Sequence, residues 1–274
     1  MTIANDRRQK DRIRERFTQT AEVFGNYAVP HRLQEAEALV RALGAGPDHR
    51  AVDLACGPGT LALPFARHVR WICGLDLTPA MLERALRSAA EDHLSNLDFA
   101  LGDAHLLPFA DATLDIAVTS YSLHHMPDPA RVIQEMARVV KPGGRVGVID
   151  ICASGNPKVA EAGNRIERIR DHSHTRSLSL VEFERLFHDS GLRILAAEPL
   201  KEPRSFEHWM HVAGWKPGDA VYGETLRLIE ATLGDNSAGF YPKLVPGDAA
   251  KARASQAQSL WIVHTNVAIA AEKM

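Results

Sequence analysis

Three aspartates stand in or just after successive short apolar runs, and the first two are associated with a glycine turn. Asp53 lies in the run Ala51–Ala55, which leads into Cys56-Gly57-Pro58-Gly59. Asp76 closes the run Trp71–Leu75, and Asp103 follows Leu97–Leu101 in Gly102-Asp103-Ala104. Glycines at 57 and 59 tolerate positive φ and let a backbone approach a ligand closely. A carboxylate at 76 can accept from both hydroxyls of a ribose, and one at 103 from an adenine amino group. Taken singly, each has a plainer reading: an ordinary βα turn, a polar residue beside the helix start Thr78-Pro79, and a turn aspartate. Three such groups at successive strand ends point to a nucleoside-binding site.

The surrounding elements must bring those ends together. Basic residues Arg7, Arg8, Lys10, Arg12, Arg14 and Arg16 read as the solvated face of an N-terminal helix. Leu33, Ala36, Val40 and Leu43 have amphipathic-helix spacing, stopped by Gly44 and Gly46. Strands are then expected at Ala51–Ala55, Trp71–Leu75, Leu97–Leu101, Leu114–Thr119 and Arg145–Ile151. Helices between them are expected over Leu61–Val69, from Thr78-Pro79 to Ala89, and over Arg131–Val140. Further helices are expected at Pro157–Arg170 and after the capping box Ser179/Glu182, then a strand at Leu192–Ala197 and a last strand alternating through Trp261, Val263, Thr265, Val267 and Ile269. Strands alternating with helices give an α/β fold, a doubly wound and mostly parallel sheet covered on both faces. Residues 1–48 form an N-terminal helical cap, 49–152 the nucleoside-binding core, and 153–274 the rest of the sheet with a helical insert over 201–258. All three belong to one structural domain. Within the insert, helices are expected at Phe206–Val212 and Ala220–Leu233, and Pro246–Gln258 is expected to be mobile.

The chain has 274 residues, 45% of them hydrophobic, enough for one sizeable core. A formal charge of −2 gives no electrostatic reason for a nucleic-acid partner. No run is long and apolar enough to be a membrane helix, and the first residues lack a signal-peptide core. Cys56, Cys73 and Cys152 have no CxxC spacing, so free thiols in a cytoplasmic protein are expected.

Gly57-Pro58-Gly59-Thr60-Leu61-Ala62 also fits the dinucleotide fingerprint, which makes a nicotinamide-dependent dehydrogenase the rival reading. Against it stand Asp53, inside the first strand four residues before Gly57, and the Gly-Asp-Ala segment after strand three. Asp53-Leu-Ala-Cys-Gly-Pro-Gly59 resembles motif I of the class I S-adenosylmethionine-dependent methyltransferases. Gly74-Leu-Asp76-Leu-Thr-Pro-Ala-Met81-Leu is similar to their ribose strand and following helix, and Gly102-Asp-Ala-His-Leu-Leu-Pro-Phe109 to their adenine loop. Leu123-His-His-Met-Pro-Asp128 and Lys141-Pro-Gly-Gly144 resemble segments of the ubiquinone/menaquinone (methyltransferase type 11) branch.

This resemblance, carried by about residues 50–152, implies a Rossmann-like sheet of seven strands with the last antiparallel. It implies S-adenosyl-L-methionine as cofactor, S-adenosyl-L-homocysteine as product, and Asp53, Ala55, Gly57, Gly59, Asp76, Leu77, Met81, Gly102, Asp103, Ala104 and Ser120 around them. Ala55 stands where the family usually has glycine. Asp53 is expected to organise the glycine turn through backbone N–H groups or the cofactor's amino end. The N-terminal aromatic that covers the cofactor in relatives is expected at Tyr27, with Tyr121 a second candidate; either ring could face the sulfonium.

The implied reaction transfers a methyl group to a small organic acceptor, with oxygen or carbon methylation of a phenol- or quinol-like molecule favoured. No Asn/Asp-Pro-Pro-Tyr/Phe motif follows strand four, so a nucleic-acid substrate is not expected. Deprotonating such an acceptor needs a base, and His125, with His124 beside it, follows strand four at the ligand edge; His125 is preferred by analogy with related enzymes. A plainer reading makes these histidines pocket shape alone. His172, His174 and Arg176 are expected as a polar patch that orients the acceptor, a metal site being disfavoured for want of a third ligand. Trp209 is expected in an aromatic acceptor pocket, with Trp215, Phe240 and Tyr241 near it, although tryptophans in a helical insert are more often core. A protein that binds the cofactor without turnover is the non-enzymatic alternative.

Overall fold

The computed structural model describes residues 3–246 and 258–274. Of the stretch Pro246–Gln258 named above, residues 247–257 lie outside those described. Two helices, α1 (Ile3–His31) and α2 (Leu33–Ala42), precede an alternating core. The core runs β1 (Arg50–Leu54), α3 (Ala62–Ala66), β2 (Trp71–Asp76), α4 (Pro79–Glu91), β3 (Leu97–Leu101), β4 (Leu114–Ser120), α5 (Pro129–Val139) and β5 (Val140–Ala153). Beyond it come α6 (Pro157–Arg170), β6 (Leu178–Ser179), α7 (Leu180–Asp189), β7 (Leu192–Ser205), α8 (Phe206–Val212), α9 (Ala220–Glu230), β8 (Lys243–Pro246) and β9 (Gln258–Lys273).

The sheet has the order β3-β2-β1-β4-β5-β9-β7, with β6 beside β5 and β8 beside β9. β1 to β5 pair in parallel, and β9 is antiparallel to both β5 and β7. This is a Rossmann-like, doubly wound sheet. β1 pairs with β2 on one side and β4 on the other, so the order reverses there and opens a crevice at the strands' carboxyl ends. Central strands are buried on both faces, which explains why β1 reads as a continuous run: Ala51 to Leu54 are all buried. One face is packed by α2 and α3 through Leu39, Leu43, Leu61 and Phe65, the other by α5 and α7 through Ile133, Met136, Phe183 and Phe187. A third apolar cluster, around Trp209, Met210, Tyr222 and Phe240, holds the insert together.

Two differences from the sequence reading bear on the site. Lys201–Ser205 belongs to β7, not to the helical insert: β7 and β9 stay paired from Leu192↔Lys273 to Ser205↔Trp261, past the end of β5. Pro199 and Pro203 obscure this strand, and their lack of an N–H is tolerated because β7 is the sheet edge. The second difference is in α1. Its inward stripe is Gln9, Ile13, Arg16, Thr20 and Ala21, all buried, so Arg16 is not on the solvated face. Polar residues at helical spacing hide that stripe from a hydrophobicity reading. Among the described residues no helix is long and apolar enough to cross a membrane.

Candidate active site

The glycine turn after β1 is held by the next strand. Asp76 accepts from Gly57 N at 2.9 Å through one carboxylate oxygen and from Thr78 N at 2.8 Å through the other. Burial pushes its pKa up, and the hydrogen bonds from Gly57 and Thr78 oppose that shift. Asp53 acts at the far end of the same turn. Its Oδ2 accepts from Ala62 N at 2.9 Å, fixing the start of α3, while its buried Oδ1 has no partner among the described residues. Asp53 pairs inside the sheet with Gly74 and Val118 and meets the backbone N–H groups of Leu61 and Ala62, whereas Asp76 ends its strand beside Gly57. Gly57 has φ of 54° and space where a Cβ would be, so the turn leaves room for a ligand. Ala55 is also left-handed, at φ 50°, the conformation that makes glycine usual there.

A cavity of about 800 Å³ opens over these strand ends. Its floor comes from Ala55, Gly57, Asp76, Leu77 and Met81, and its far wall from Gly102, Asp103 and Ala104. Ser120 and Tyr121 border it at the end of β4. Asp53 and Gly59 lie outside the lining. Tyr27 is outside as well, stacked on His31 with ring centroids 4.4 Å apart. The helix that carries Tyr27 turns it away and presents Phe24 and Phe17 to the cavity instead, about one and three turns earlier. Tyr121 does line the cavity, but the Arg32 guanidinium carbon sits 3.1 Å from its ring centroid and its hydroxyl donates to Glu35 at 2.8 Å.

α1 also reaches the adenine side. Lys10 pairs with Asp103 at 2.7 Å, and His105 Nδ1 lies 2.7 Å from the same carboxylate. Burial raises the Asp103 pKa, but these partners outweigh it and hold the group below the usual carboxylate range. The loop that carries Asp103 is braced from behind. Buried Glu135 accepts from Leu107 N at 2.8 Å and is gripped by Arg131 and Arg138, and Arg138 also donates to the Phe109 carbonyl. Sequence reasoning missed this brace, although the i, i+4 pair Arg131/Glu135 is a visible signal.

His124 and His125 sit in one helical turn, Leu123–His125, after β4. Extended alternation does not apply to them, and their rings lie side by side, 4.1 Å apart. His124 Nδ1 contacts Asp150 at the end of β5, and Asp150 also accepts from Leu123 N at 2.7 Å, so His124 anchors the turn. His125 borders the cavity. Its Nδ1 meets Ser173 Oγ at 3.1 Å, and Ser173 Oγ donates to Asp171 Oδ1 at 2.6 Å. Arg16 Nε donates to Asp171 Oδ2 at 3.0 Å. Burial raises the Asp171 pKa, but the Arg16 and Arg170 charges and the hydrogen bond from Ser173 oppose it and keep the group ionised, so it only accepts. Ser173 therefore spends its one proton on Asp171 and accepts from His125 Nδ1–H. The tautomer that results has its lone pair on Nε2. Burial, with His124 adding to it, lowers the His125 pKa to about 4, so the ring is neutral near pH 7.

A second cavity, of about 650 Å³, shares Phe17, Phe24, Arg32, Tyr121 and His125 with the first. Beyond that common wall it is bounded by Arg16, Arg170, Arg204, Trp209, His264 and Asn266. Of the residues expected to hold an acceptor, Trp209 lines this chamber. His174 is buried beside it, 5.5 Å from the His124 ring, and its Nε2 donates to Asn164 Oδ1 at 2.9 Å. His172 and Arg176 are exposed, and Arg176 pairs with Glu182 on α7. The expected shared face fails because 171–174 is a turn: His174 N returns to Asp171 O and Ser173 N to the Asp171 side chain, so alternation is lost. Trp215 donates to the Arg170 carbonyl, Phe240 is core, and Tyr241 is exposed. Arg16, Arg32, Arg204, Asp171, Ser173, His264 and Asn266 were not singled out for the site. Only the fold joins α1, the α6–β6 loop, β7 and β9 around one space.

A methyltransferase-domain family model matches residues 52–148. The methyltransferase YcgJ of Bacillus subtilis (strain 168) is 31% identical over 198 residues, 72% of this chain and 78% of YcgJ. The chain belongs to this methyltransferase family. The solved structure of YcgJ matches with a TM-score of 0.76 at 26% identity, over 88% of this chain and 98% of YcgJ. The 27-O-demethylrifamycin SV methyltransferase of Amycolatopsis mediterranei (strain S699) is 33% identical over 175 residues, 62% of this methyltransferase and 63% of that one. The demethylmenaquinone methyltransferase of Renibacterium salmoninarum is 37% identical over 112 residues, 41% and 45% of the two chains. This is a class I methyltransferase, and its cofactor is S-adenosylmethionine. The first cavity fits that group. The open space at Gly57, the carboxylates of Asp76 and Asp103 and the apolar slot of Leu77, Met81 and Ala104 match a turn-bound amino acid, a ribose and a purine.

Proposed function

We propose that this methyltransferase transfers the methyl group to a small organic acceptor of phenol or quinol type, bound in the second chamber, with His125 as the base. The observation that carries the reading is the placement of His125 in the wall between the two chambers, with its lone pair assigned to Nε2 by the Ser173–Asp171 relay. Asp76, Asp103, Leu77, Met81 and Ala104 would hold the cofactor, which supplies an electrophilic methyl group on sulfur. The chain's own work is alignment, exclusion of water and proton transfer. Phe17 and Phe24, on α1, close the junction between the chambers and keep it apolar. The acceptor hydroxyl gives its proton to His125 Nε2 as its oxygen becomes nucleophilic. Asp171, held by Arg16, supports the charge that then forms on the imidazole through Ser173. The phenol and quinol classes are further supported by the two relatives whose names give a demethylated rifamycin and a demethylmenaquinone as substrates. A reducing, cytoplasmic setting accords with three free cysteines, two of them buried.

A labelled-methyl assay over phenols, quinols and amines tests this reading. Label is expected on phenolic or quinolic products. His125→Gln is expected to lower kcat roughly 100- to 1,000-fold with S-adenosylhomocysteine affinity unchanged. No transfer to any acceptor, despite cofactor binding, would favour a protein that binds without turnover.

A further inference from the structure

Five buried or part-buried side chains around the second chamber leave polar atoms without a hydrogen-bond partner among the described residues. They are Nε and one terminal nitrogen of Arg32, Nε of Arg204, Nε1 of Trp209, Oδ1 of Asn266 and Nε2 of His264, which lies 3.4 Å from Glu167. Arg204 is 9% exposed, and Trp209 and Asn266 are 1% exposed, so water does not satisfy these atoms from bulk. The Arg32, Arg204 and Trp209 groups are donors, and unpaired buried donors are disfavoured unless a ligand meets them.

The charges point the same way. Arg16 pairs with Asp171, Arg170 with Glu167 and Arg204 with Glu202. Arg32 has no carboxylate within ion-pair distance among the described residues, since the nearby Glu35 receives the Tyr121 hydroxyl instead. The groups are also linked. Asn266 Nδ2 donates both to Glu202, the partner of Arg204, and to the Tyr121 hydroxyl, and Tyr121 lies under Arg32. Aromatic surfaces from Phe17, Phe24, Tyr121 and Trp209 border the same space.

We infer that the methyl acceptor is an aromatic hydroxy acid, whose carboxylate is held by Arg32 and Arg204 with the Trp209 N–H. Asn266 Oδ1 takes a hydroxyl of the same molecule. The inference rests on the reading of the second chamber as the acceptor site. It deepens that reading by giving the acceptor a charge: guanidinium donors suit a carboxylate, whereas a neutral ligand would leave them unpaired.

Calorimetry on protein saturated with S-adenosylhomocysteine tests it, with 4-hydroxybenzoate, 3,4-dihydroxybenzoate and 4-hydroxycinnamate compared with their carboxamides. At least one acid is expected to bind ten times more tightly than its amide. Arg204→Gln is expected to erase that preference while S-adenosylhomocysteine affinity stays within about twofold. Trp209→Phe, which keeps the ring and removes only the N–H, is expected to weaken the acid severalfold and leave the amide unchanged. It covers the case in which Arg204→Gln does not fold. Equal affinity for acids and amides, or no binding of any acid, overturns the inference. So does an Arg204→Gln effect that falls on S-adenosylhomocysteine, because the anion held there would then be the cofactor's. If the wild-type protein does not bind S-adenosylhomocysteine at all, the methyltransferase reading fails first and the inference falls with it.

Discussion

The two chambers are built in opposite ways. The cofactor chamber's floor and far wall come from strand-end loops between Ala55 and Ala104, and the two acids there are braced by their neighbours. Asp76 is bound by Gly57 and Thr78, and Asp103 by His105 and Lys10. The chamber proposed for the acceptor draws on α1, the α6–β6 loop, β7, α8 and β9, and part of its polar lining has no hydrogen-bond partner among the described residues. A site for a fixed ligand can be pre-organised by short-range turns. A site whose ligand supplies the missing partners must leave donors open, and that costs stability. The shared wall of Phe17, Phe24, Arg32, Tyr121 and His125 is where the two designs meet.

Breaking the long-range brace should do the most damage. Asp171→Ala leaves Arg16 buried without its partner and Ser173 without an acceptor, and is expected to lower unfolding free energy by about 3–5 kcal/mol in urea denaturation. A loss below about 1 kcal/mol would show that the acceptor chamber does not depend on this pair.

On the cofactor side, Asp76→Ala removes the acceptor for Gly57 N and Thr78 N together with the group assigned to the ribose. S-adenosylhomocysteine affinity is expected to fall at least about 100-fold, roughly 2.7 kcal/mol by calorimetry. Unchanged affinity would refute the ribose assignment.

Acidification separates the chambers more gently. Burial lowers the pKa of His125 to about 4 and of His174 to about 3, below the 6.5 of a free histidine. Between those values the unfolded chain takes up protons that the folded chain refuses. Stability from these two groups is therefore present above about pH 6.5 and is lost as pH falls. Each should cost about 2 kcal/mol between pH 7 and pH 5, and His174→Gln should remove its share of the slope in urea midpoints. For the same reason the acid limb of kcat is expected near pH 4, not near 6.5.

Much of the cofactor chamber was legible beforehand because its chemistry is local. A glycine turn needs glycine where φ is positive, and a strand end puts its aspartate at the ligand edge whatever the rest of the chain does. Even there, the division of labour between Asp53 and Asp76 was not readable: it depends on which end of the turn each carboxylate reaches, and that is set by sheet register. Tyr27 was a sound candidate by residue type, but the rotation of α1 decides which aromatic faces inward, and it selects Phe17 and Phe24.

The amino-acid sequence by itself determined the alternation of strands and helices, the glycine turn and the acids at the ends of β2 and β3, because each follows from short-range sterics and burial. Tertiary structure alone decided the His125–Ser173–Asp171–Arg16 relay and the arginine-rich chamber. Arg16 and Asp171, or Arg32 and Arg204, are far apart along the chain, and no local spacing records that they meet. Their proximity arises from packing α1 across the crevice and carrying β7 and β9 past the end of β5, and it is burial there that turns ordinary surface residue types into a site.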